Sequence, residues 1–205
     1  MSKNFNTYIE SPAADCLRSI CLREGVIRHY DRGEAFFTAG SVARYFGYIQ
    51  SGTLKYVAYG EDGAEHVVGL EFAGEFVTDF PFSLRGQKAR TSVIAETPCE
   101  IYCVSTVELG KRLQTDPEFR DIVMLGTEAV FSTVYDRYVD LYCKTAQQRY
   151  NELISKHPDL FLLFPLKDIA SFLNITQTHL SRLRKKFRLN CHFSTNVEVY
   201  YSETP

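Results

Sequence analysis

The 205-residue chain has 45% hydrophobic and 14% aromatic residues, a composition that excludes an intrinsically disordered chain and suffices for a folded core. No apolar run approaches the roughly 18 residues that a membrane-spanning helix needs, and the N-terminal segment MSKNFNTYIE lacks the apolar core of a signal peptide. We therefore predict a cytoplasmic protein with no membrane partner.

The net charge of -2 conceals an uneven distribution of charge along the chain. Residues 1–143 contain 14 Lys or Arg and 20 Asp or Glu residues, whereas residues 144–190 contain nine basic and three acidic residues. An acidic first part and a basic second part indicate two modules, and a basic module is typical of a surface that binds a polyanion. A solvated charged face without a partner is the alternative interpretation.

The first part of the chain, about 34–105, has the pattern of a β-structure with glycine at its corners. Its most regular glycines recur every 11 or 12 residues and are Gly40, Gly52, Gly63 and Gly74. This spacing predicts a compact β-roll or barrel whose corners need the positive φ that glycine tolerates. The segment GEDG at 60–63 predicts a hairpin turn between TLKYVAY and AEHVVGLEF. Two further strands are predicted in RTSVIAETPCEIYCVS, around a turn at 96–98.

A long helix is predicted from 117 to 143, with Asp116 as its N-cap and Pro117 at its first position. A mainly apolar stripe recurs along it at steps of three and four residues, as in a coiled coil, and consists of Met124, Thr127, Phe131, Val134, Tyr138 and Leu141. A second apolar strip consists of Ile122, Leu125, Ala129 and Val130. Because a helix that is apolar on two sides needs two partners, we predict that it packs on its own β-roll and on a second copy in a homodimer. The alternative is that one strip is merely half exposed.

The segment PLKDIASFLNITQTHLSRLRKK at 165–186 has the spacing of a helix-turn-helix, and it follows a short amphipathic helix, TAQQRYNELISKH. Ala170 is small where the two helix axes approach each other. Asn174 stands at the turn position usually held by glycine, and asparagine tolerates the left-handed conformation best after glycine. The apolar positions that hold the two helices together are Ile169, Leu173, Ile175, Leu180 and Leu183.

The second of these helices combines a polar face with a cluster of cations, which core helices rarely do, and we predict that it binds DNA. The expected contacts are made by Thr176, Gln177, Thr178, Ser181, Arg182, Arg184 and Lys185. Gln177 and Thr178 lie nearest the start of the helix and are expected to read base edges. Arg182, one turn further on, is expected to contact a guanine or a phosphate, and the other residues to hold phosphates.

The order of a glycine-marked roll, a long helix and a C-terminal helix-turn-helix resembles the catabolite-activator (CRP/FNR) family of bacterial transcription regulators. The resemblance extends from about Arg28 to Tyr200. The segment YIQSGTLKYVAYGEDGAEHVVGLEFAGEF is similar to the family's roll, and ITQTHLSRLRKK is similar to its recognition helix. The sequence PLKDIASFLNIT is most similar to the versions found in Bacteroidetes.

The resemblance implies an α+β fold in three parts. These are a cyclic-nucleotide-binding-type β-roll with flanking helices at 1–115, a dimerisation helix at 116–143 and a winged helix-turn-helix at 144–205. The tail VEVYY is similar to the second strand of the family's wing. The resemblance also implies a homodimer on pseudo-palindromic, double-stranded promoter DNA, with RNA polymerase as a further partner.

Nucleotide-binding members of the family carry G-E-L, whose glutamate contacts the ribose, and R-[ST]-A, whose arginine neutralises the cyclic phosphate. Aligned without gaps, this chain has Thr78, Asp79 and Phe80 at the first motif and Ala89 in place of the arginine, so the counter-charge of the phosphate is lost. If the loop FSLRGQK contains one extra residue, the sequence RTS that begins at Arg90 falls at the second motif instead.

The candidate ligand residues are Asp79, Arg90, Thr91, Val134 and Tyr135, of which the last two stand on the long helix where a base would lie. Because most of the nucleotide contacts are lost, we predict no cofactor. A cyclic nucleotide, another small ligand and a structural roll filled by the aromatic loop FPFSL are the open alternatives for the effector.

We predict a dimeric, sequence-specific DNA-binding transcription regulator that is not an enzyme and has no catalytic residues. A signalling module that does not act on DNA is an alternative, against which the basic helix-turn-helix argues. A cupin-like metalloenzyme would need two or three histidines with a carboxylate inside the roll, and only His29 and His66 lie in or near it, so no metal site is predicted.

Overall fold

The computed structural model of the chain describes residues 4–186. It begins with a 3-10 turn, Thr7–Glu10, and with helix α1, Pro12–Glu24, whose N-cap Ser11 accepts a hydrogen bond from the backbone nitrogen of Ala13. The strands that follow are β1 (Val26–Tyr30), β2 (Ala35–Phe37), β3 (Tyr45–Ser51), β4 (Leu54–Tyr59), β5 (Glu65–Glu71), β6 (Phe76–Val77), β7 (Ser92–Ala95) and β8 (Cys99–Ser105).

The strands form two antiparallel sheets of four strands each, with the orders β1-β8-β3-β6 and β2-β7-β4-β5. Apolar side chains from both sheets fill the space between them, with Ile49, Leu54 and Ile101 fully buried. The predicted β-roll is confirmed, and so are the hairpin between β4 and β5 and the two strands β7 and β8 on either side of the turn at 96–98.

The regularly spaced glycines stand in turns of the roll and have φ angles between +79° and +93°. Gly52 shows why a side chain is excluded at such a corner. A Cβ atom on Gly52 would lie 2.5 Å from the Sγ of Cys99 and 2.5 Å from the carbonyl oxygen of Pro98. The turn between β3 and β4 can therefore pass directly against the turn that precedes β8.

The helices after the roll are α2 (Thr106–Thr115), α3 (Pro117–Cys143), α4 (Ala146–Lys156), α5 (Leu160–Leu163), α6 (Leu166–Phe172) and α7, which runs from 177 to the last described residue, 186. Helix α3 begins as predicted, with the Asp116 side chain accepting a hydrogen bond from the Phe119 nitrogen.

The predicted α+β fold is confirmed. The wing segment VEVYY lies outside the described residues, and no helix within them is long and apolar enough to cross a membrane.

The side of α3 that packs on the roll and on α1 differs from the predicted second strip. Its buried residues are Phe119, Val123, Gly126 and Thr133. Of the predicted strip, Leu125 is exposed and Ile122, Ala129 and Val130 are half-buried. The prediction was wrong for Leu125, whereas Ile122 packs against the core of the roll and α1 and Val130 lines a cavity there. The buried side was missed because a glycine and a threonine occupy two of its positions. Gly126 faces Leu17 of α1 and Phe80, and Thr133 is satisfied by hydrogen bonds to Ala129 and Thr7.

The C-terminal helices share one apolar core with the edge of the roll. The roll contributes Val67, Leu70 and Phe72, and the helices contribute chiefly Tyr150, Leu153, Leu160, Phe164, Ile169 and Leu180. Helix α4 begins in a capping box in which Thr145 and Gln148 each satisfy the other's backbone nitrogen. The helix-turn-helix is thus attached to the roll by packing and not only through α3.

Candidate functional site

Helices α6 and α7 have the geometry that their sequence predicts. Ile169, Ala170, Leu173, Leu180 and Leu183 are buried, and Ile175 is half-buried. Asn174 adopts the left-handed conformation with φ of +53°. The Thr176 hydroxyl accepts a hydrogen bond of 3.2 Å from the His179 nitrogen and caps α7.

Six of the predicted DNA-contacting residues are exposed, on α7 or at its cap: Thr176, Gln177, Thr178, Ser181, Arg182 and Lys185. The five on α7 itself follow each other at steps of one, three, one and three residues, so they share one side of the helix. This side carries hydrogen-bonding groups at the start of the helix and cations towards its end.

Arg184 is placed differently from its neighbours. It is half-buried, and its guanidinium carbon lies 4.2 Å from the centre of the Phe161 ring. Such a cation–π contact supports α7 from the side of α5. The Arg184 side chain therefore has an intramolecular role that sequence reasoning did not identify.

Arg149 on α4 braces the turn of the helix-turn-helix and was also missed. Its guanidinium donates hydrogen bonds to the Lys144 carbonyl at 2.6 Å and to the Leu173 carbonyl at 3.1 Å. Leu173 closes α6, so Arg149 satisfies a carbonyl at a helix end.

A buried ion triad connects the roll to α6. The ammonium of Lys55 on β4 lies 2.5 Å from a carboxylate oxygen of Glu96 and 2.6 Å from one of Asp168. Lys55, Glu96 and Asp168 are only 7%, 7% and 5% exposed. Burial opposes the charge of Lys55, but the hydrogen bonds to Asp168 and Glu96 outweigh it, and the pKa of Lys55 is raised. Nearby, the backbone nitrogen of Val67 donates to the Ser171 hydroxyl at 2.9 Å.

A second junction joins the N-terminal segment, the roll, α3 and the C-terminal helices. The His157 ring stacks on Phe72 with 3.6 Å between ring centres and 6° between planes, and Phe5 packs edge-on against both rings. Arg137 of α3 lies 4.2 Å from the centre of the Phe5 ring and donates to the Phe5 carbonyl and to the Asn6 side chain. Burial and then Lys156 lower the pKa of His157.

Two buried carboxyl groups stand next to this junction. The Asn6 amide donates to Glu71 at 2.9 Å and to Glu75 at 2.6 Å, and the Tyr8 hydroxyl donates to Glu71 at 2.8 Å. Burial, and then the proximity of Glu75, raise the pKa of Glu71 well above its usual range, and burial also raises the pKa of Glu75. The pair therefore favours a protonated form.

A cavity of about 330 Å³ lies between the roll, α1 and α3. Of the predicted ligand residues, Asp79, Thr91 and Val134 line it. Arg90 and Tyr135 do not line it, and both are exposed. Tyr135 follows Val134 by one helical position, which turns it about 100° away, and it stacks on Phe131 with 5.7 Å between ring centres.

The aromatic loop that follows β6 fills the cavity only in part. Phe80 lines it, whereas Phe82 points away from the core and is exposed. Ala89, which takes the place of the family's arginine in the ungapped alignment, is buried. Glu71 and Arg137 also line the cavity, and the sequence did not lead us to either. The sequence feature that could have identified them is a charged residue within an otherwise apolar, buried pattern. Within residues 4–186, no three His, Cys, Asp or Glu side chains are grouped to hold a metal ion.

Solved structures of known proteins are similar to this chain in fold. Residues 27–116 match the cyclic nucleotide-binding domain family, and no curated protein matches the chain. FixK2 of Bradyrhizobium japonicum is similar with a TM-score of 0.71 at 17% identity, over 81% of this chain and 85% of FixK2. The c-di-GMP-responsive global regulator CLP of Xanthomonas campestris has a TM-score of 0.61 at 18% identity, over 86% and 92%. The CRP/FNR-family regulator TTHA1359 of Thermus thermophilus has a TM-score of 0.61 at 13% identity, over 80% and 87%.

The matched segment, residues 27–116, is thus similar to the cyclic nucleotide-binding domain family. This segment is followed by a long helix and a helix-turn-helix, and the chain as a whole has the fold that the resemblance to the CRP/FNR regulators implies.

Proposed function

We propose that this chain is a dimeric, sequence-specific DNA-binding transcription regulator, divided as 1–115, 116–143 and 144–205, whose roll responds to a small ligand. It acts in the cytoplasm on double-stranded promoter DNA, with RNA polymerase as a partner, and it is not an enzyme. The observation that carries the proposal is the exposed polar and cationic side of α7, held on a buried helix-turn-helix core.

The division of labour along α7 follows from the position of each side chain. Gln177 and Thr178, in the first turn, are nearest the bases when the start of a recognition helix enters the major groove. Arg182 is exposed one turn later and contacts a guanine or a phosphate. Thr176, Ser181 and Lys185 hold phosphates of the DNA. Arg184, which packs on the Phe161 ring, contacts the phosphate backbone of the DNA.

Dimerisation is supported by the second surface of α3. Met124, Val134, Tyr138 and Leu141 of the predicted stripe are exposed, and Phe131 is 67% exposed. Thr127 is half-buried and donates its hydroxyl to the Val123 carbonyl at 2.7 Å. Monomers rarely leave a continuous apolar surface of this kind in water, and a second copy of the same helix would cover it.

Selection of bound DNA from a random pool tests the proposal. We expect a two-fold symmetric site whose half-site centres are about one helical turn, roughly 34 Å, apart. An asymmetric site would contradict the dimer, and the absence of any salt-dependent binding would favour a signalling module that does not act on DNA.

Arg182→Ala tests the assignment of the reading side. We expect a loss of about 1–3 kcal/mol in specific binding, together with relaxed selectivity at one base position. Arg44→Ala is the matched control, because Arg44 is an exposed arginine on the roll. A loss that is uniform across all sequences would make Arg182 a phosphate contact instead.

Phe131→Glu tests the dimer surface by placing a charge in the middle of the exposed stripe. We expect sedimentation to show a folded monomer that no longer binds the symmetric site cooperatively. Val107→Glu is the matched control, since Val107 is 65% exposed on α2. A Phe131→Glu protein that stays dimeric would remove this helix from the interface.

A further inference from the structure

The cavity between the roll, α1 and α3 is largely apolar. Its main apolar lining residues are Leu17, Phe46, Phe76, Phe80, Val130 and Val134. Its volume of about 330 Å³ is at the lower end of the range for small-molecule sites. Val134 and Val68 are exposed, so they mark the side on which the cavity meets solvent.

Most polar groups of the lining already have partners within the protein. The Tyr56 hydroxyl donates to the Thr78 carbonyl at 2.8 Å and accepts from the Thr78 nitrogen at 3.1 Å. The Thr78 hydroxyl donates to the Tyr45 carbonyl at 3.1 Å. The Tyr8 hydroxyl donates to Glu71 at 2.8 Å. These groups shape the wall and are not available to a ligand without loss of an existing hydrogen bond.

Asp79 is the exception among the charged lining residues. Among the described residues, no side-chain hydrogen bond or ion pair engages its carboxylate, although it is half-buried. Burial raises the pKa of Asp79, and the charge of Arg90 only partly opposes this effect. A half-buried carboxylate without a donor gains most from a ligand that brings a hydrogen-bond donor.

A cyclic nucleotide does not fit this set of residues. Its phosphate needs a free cation. The one cation among the described lining residues, Arg137, already donates to Phe5 and Asn6 and faces Glu71, and Arg90, whose charge acts on Asp79, is exposed and does not line the cavity. A phosphate in the cavity would instead lie near Asp79, and two like charges in a partly buried site repel each other strongly.

We infer that the cavity takes a small, mainly apolar molecule that presents an uncharged or cationic hydrogen-bond donor to Asp79, and not a cyclic nucleotide. The inference deepens the proposed sensory role of the roll and rests on it. The apolar body lies between α1, the roll and α3, and the donor end meets the Asp79 carboxylate. The bound molecule touches Val130 and Val134, so it contacts the helix that carries the dimer stripe.

Binding of matched probes to the full chain without DNA tests the inference. The probes are phenethylamine and 2-phenylethanol, which carry a donor, and phenylacetate and cyclic AMP, which carry an anion. We expect both donor probes to shift the methyl signals of Leu17, Val130 and Val134 in NMR spectra. We expect phenethylamine to bind about tenfold or more tightly than phenylacetate, because a charge-assisted hydrogen bond to Asp79 is gained.

Two variants locate the effect. Asp79→Asn should abolish the preference for the amine over the acid, and Val130→Phe should fill the cavity and weaken both donor probes. The inference would be overturned if cyclic AMP or phenylacetate bound more tightly than phenethylamine. It would also be overturned if the donor probes did not shift the methyl signals, or if the preference for the amine over the acid survived Asp79→Asn. DNA selection is independent of these measurements, so a failure here leaves the recognition of DNA by α7 intact.

Discussion

Replacing Lys55 with methionine tests whether the ion triad holds the helix-turn-helix on the roll. Methionine keeps much of the apolar stem but removes the ammonium, so the Glu96 and Asp168 carboxylates lose the cation between them. Both oxygens lie within 2.6 Å of one nitrogen and thus within about 5 Å of each other, where two buried like charges repel strongly. Removing one partner of a buried ion pair costs about 3–5 kcal/mol.

We therefore expect Lys55→Met to lower the free energy of unfolding in urea by about 3–5 kcal/mol, or to release α6 from the roll at a smaller loss. Lys111→Met is the matched control, because Lys111 is exposed on α2 and should change stability by less than about 0.5 kcal/mol. Sedimentation and protease sensitivity near α4 would distinguish release of the helices from global unfolding.

A triple variant sharpens the test. When Glu96→Gln and Asp168→Asn accompany Lys55→Met, no charge remains at the position of the triad, and we expect most of the lost stability to return. The reasoning would be refuted if Lys55→Met differed from the natural protein by less than about 1 kcal/mol with α6 still in place, or if the triple variant were no more stable than the single one.

Three further changes probe the interior. Gly126→Ala should stabilise the fold by about 0.5–1 kcal/mol in urea unfolding, because its Cβ would meet Leu17 and Phe80 at an ordinary 3.6 Å; destabilisation would mean that α3 cannot accept a methyl group there. Glu71→Gln should remove a loss of stability that the natural protein shows as the pH rises above 4.5. A carboxyl group whose pKa is raised by folding contributes stability that is complete below the unfolded pKa and is lost as the pH rises through the folded pKa. Parallel curves of stability against pH for the two proteins would contradict this. His157→Phe should remove the destabilisation that the natural protein shows as the pH falls below 6.5, because a histidine whose pKa is lowered by folding contributes stability that is complete above the unfolded pKa and is lost as the pH falls through the folded pKa. It should also add about 1 kcal/mol, since the buried Nε2 atom has no hydrogen-bond partner among the described residues. An unchanged acid limb of the pH curve would contradict this.

The features that the sequence predicts well depend on short spacings. The glycine corners, the Asp116 cap and the turn at Asn174 are each defined within a few residues, because one φ angle or one hydrogen bond decides them. The helix-turn-helix is predicted for the same reason: its apolar positions follow from the crossing of two adjacent helices.

Features that join distant segments were not predictable in this way. Lys55 and Asp168 are 113 positions apart, and nothing local distinguishes their side chains from solvated charges. The side of α3 that meets the roll was misjudged because Gly126 and Thr133 are small or polar. The cavity residues were predicted from an alignment, which cannot tell that Tyr135 turns away from the cavity while Val134 faces it.

Helix α3 brings the proposed functions together, because single side chains on it belong to more than one surface. Val134 lines the cavity and is part of the exposed stripe, so a ligand against Val134 also touches the surface that we expect the second copy to cover. One turn further on, Arg137 lines the cavity and lies 5.8 Å from the centre of the Phe172 ring at the end of α6. We expect a ligand that displaces Val134 to act on the proposed dimer contact, and one that displaces Arg137 to act on the packing of α6. Phe172 and Asp168 both lie on α6, and Lys55 holds α6 through its ion pair with Asp168. We therefore expect the effects of a ligand in the cavity and of Lys55→Met on DNA affinity to be non-additive. Additive effects would show that the two sites are independent.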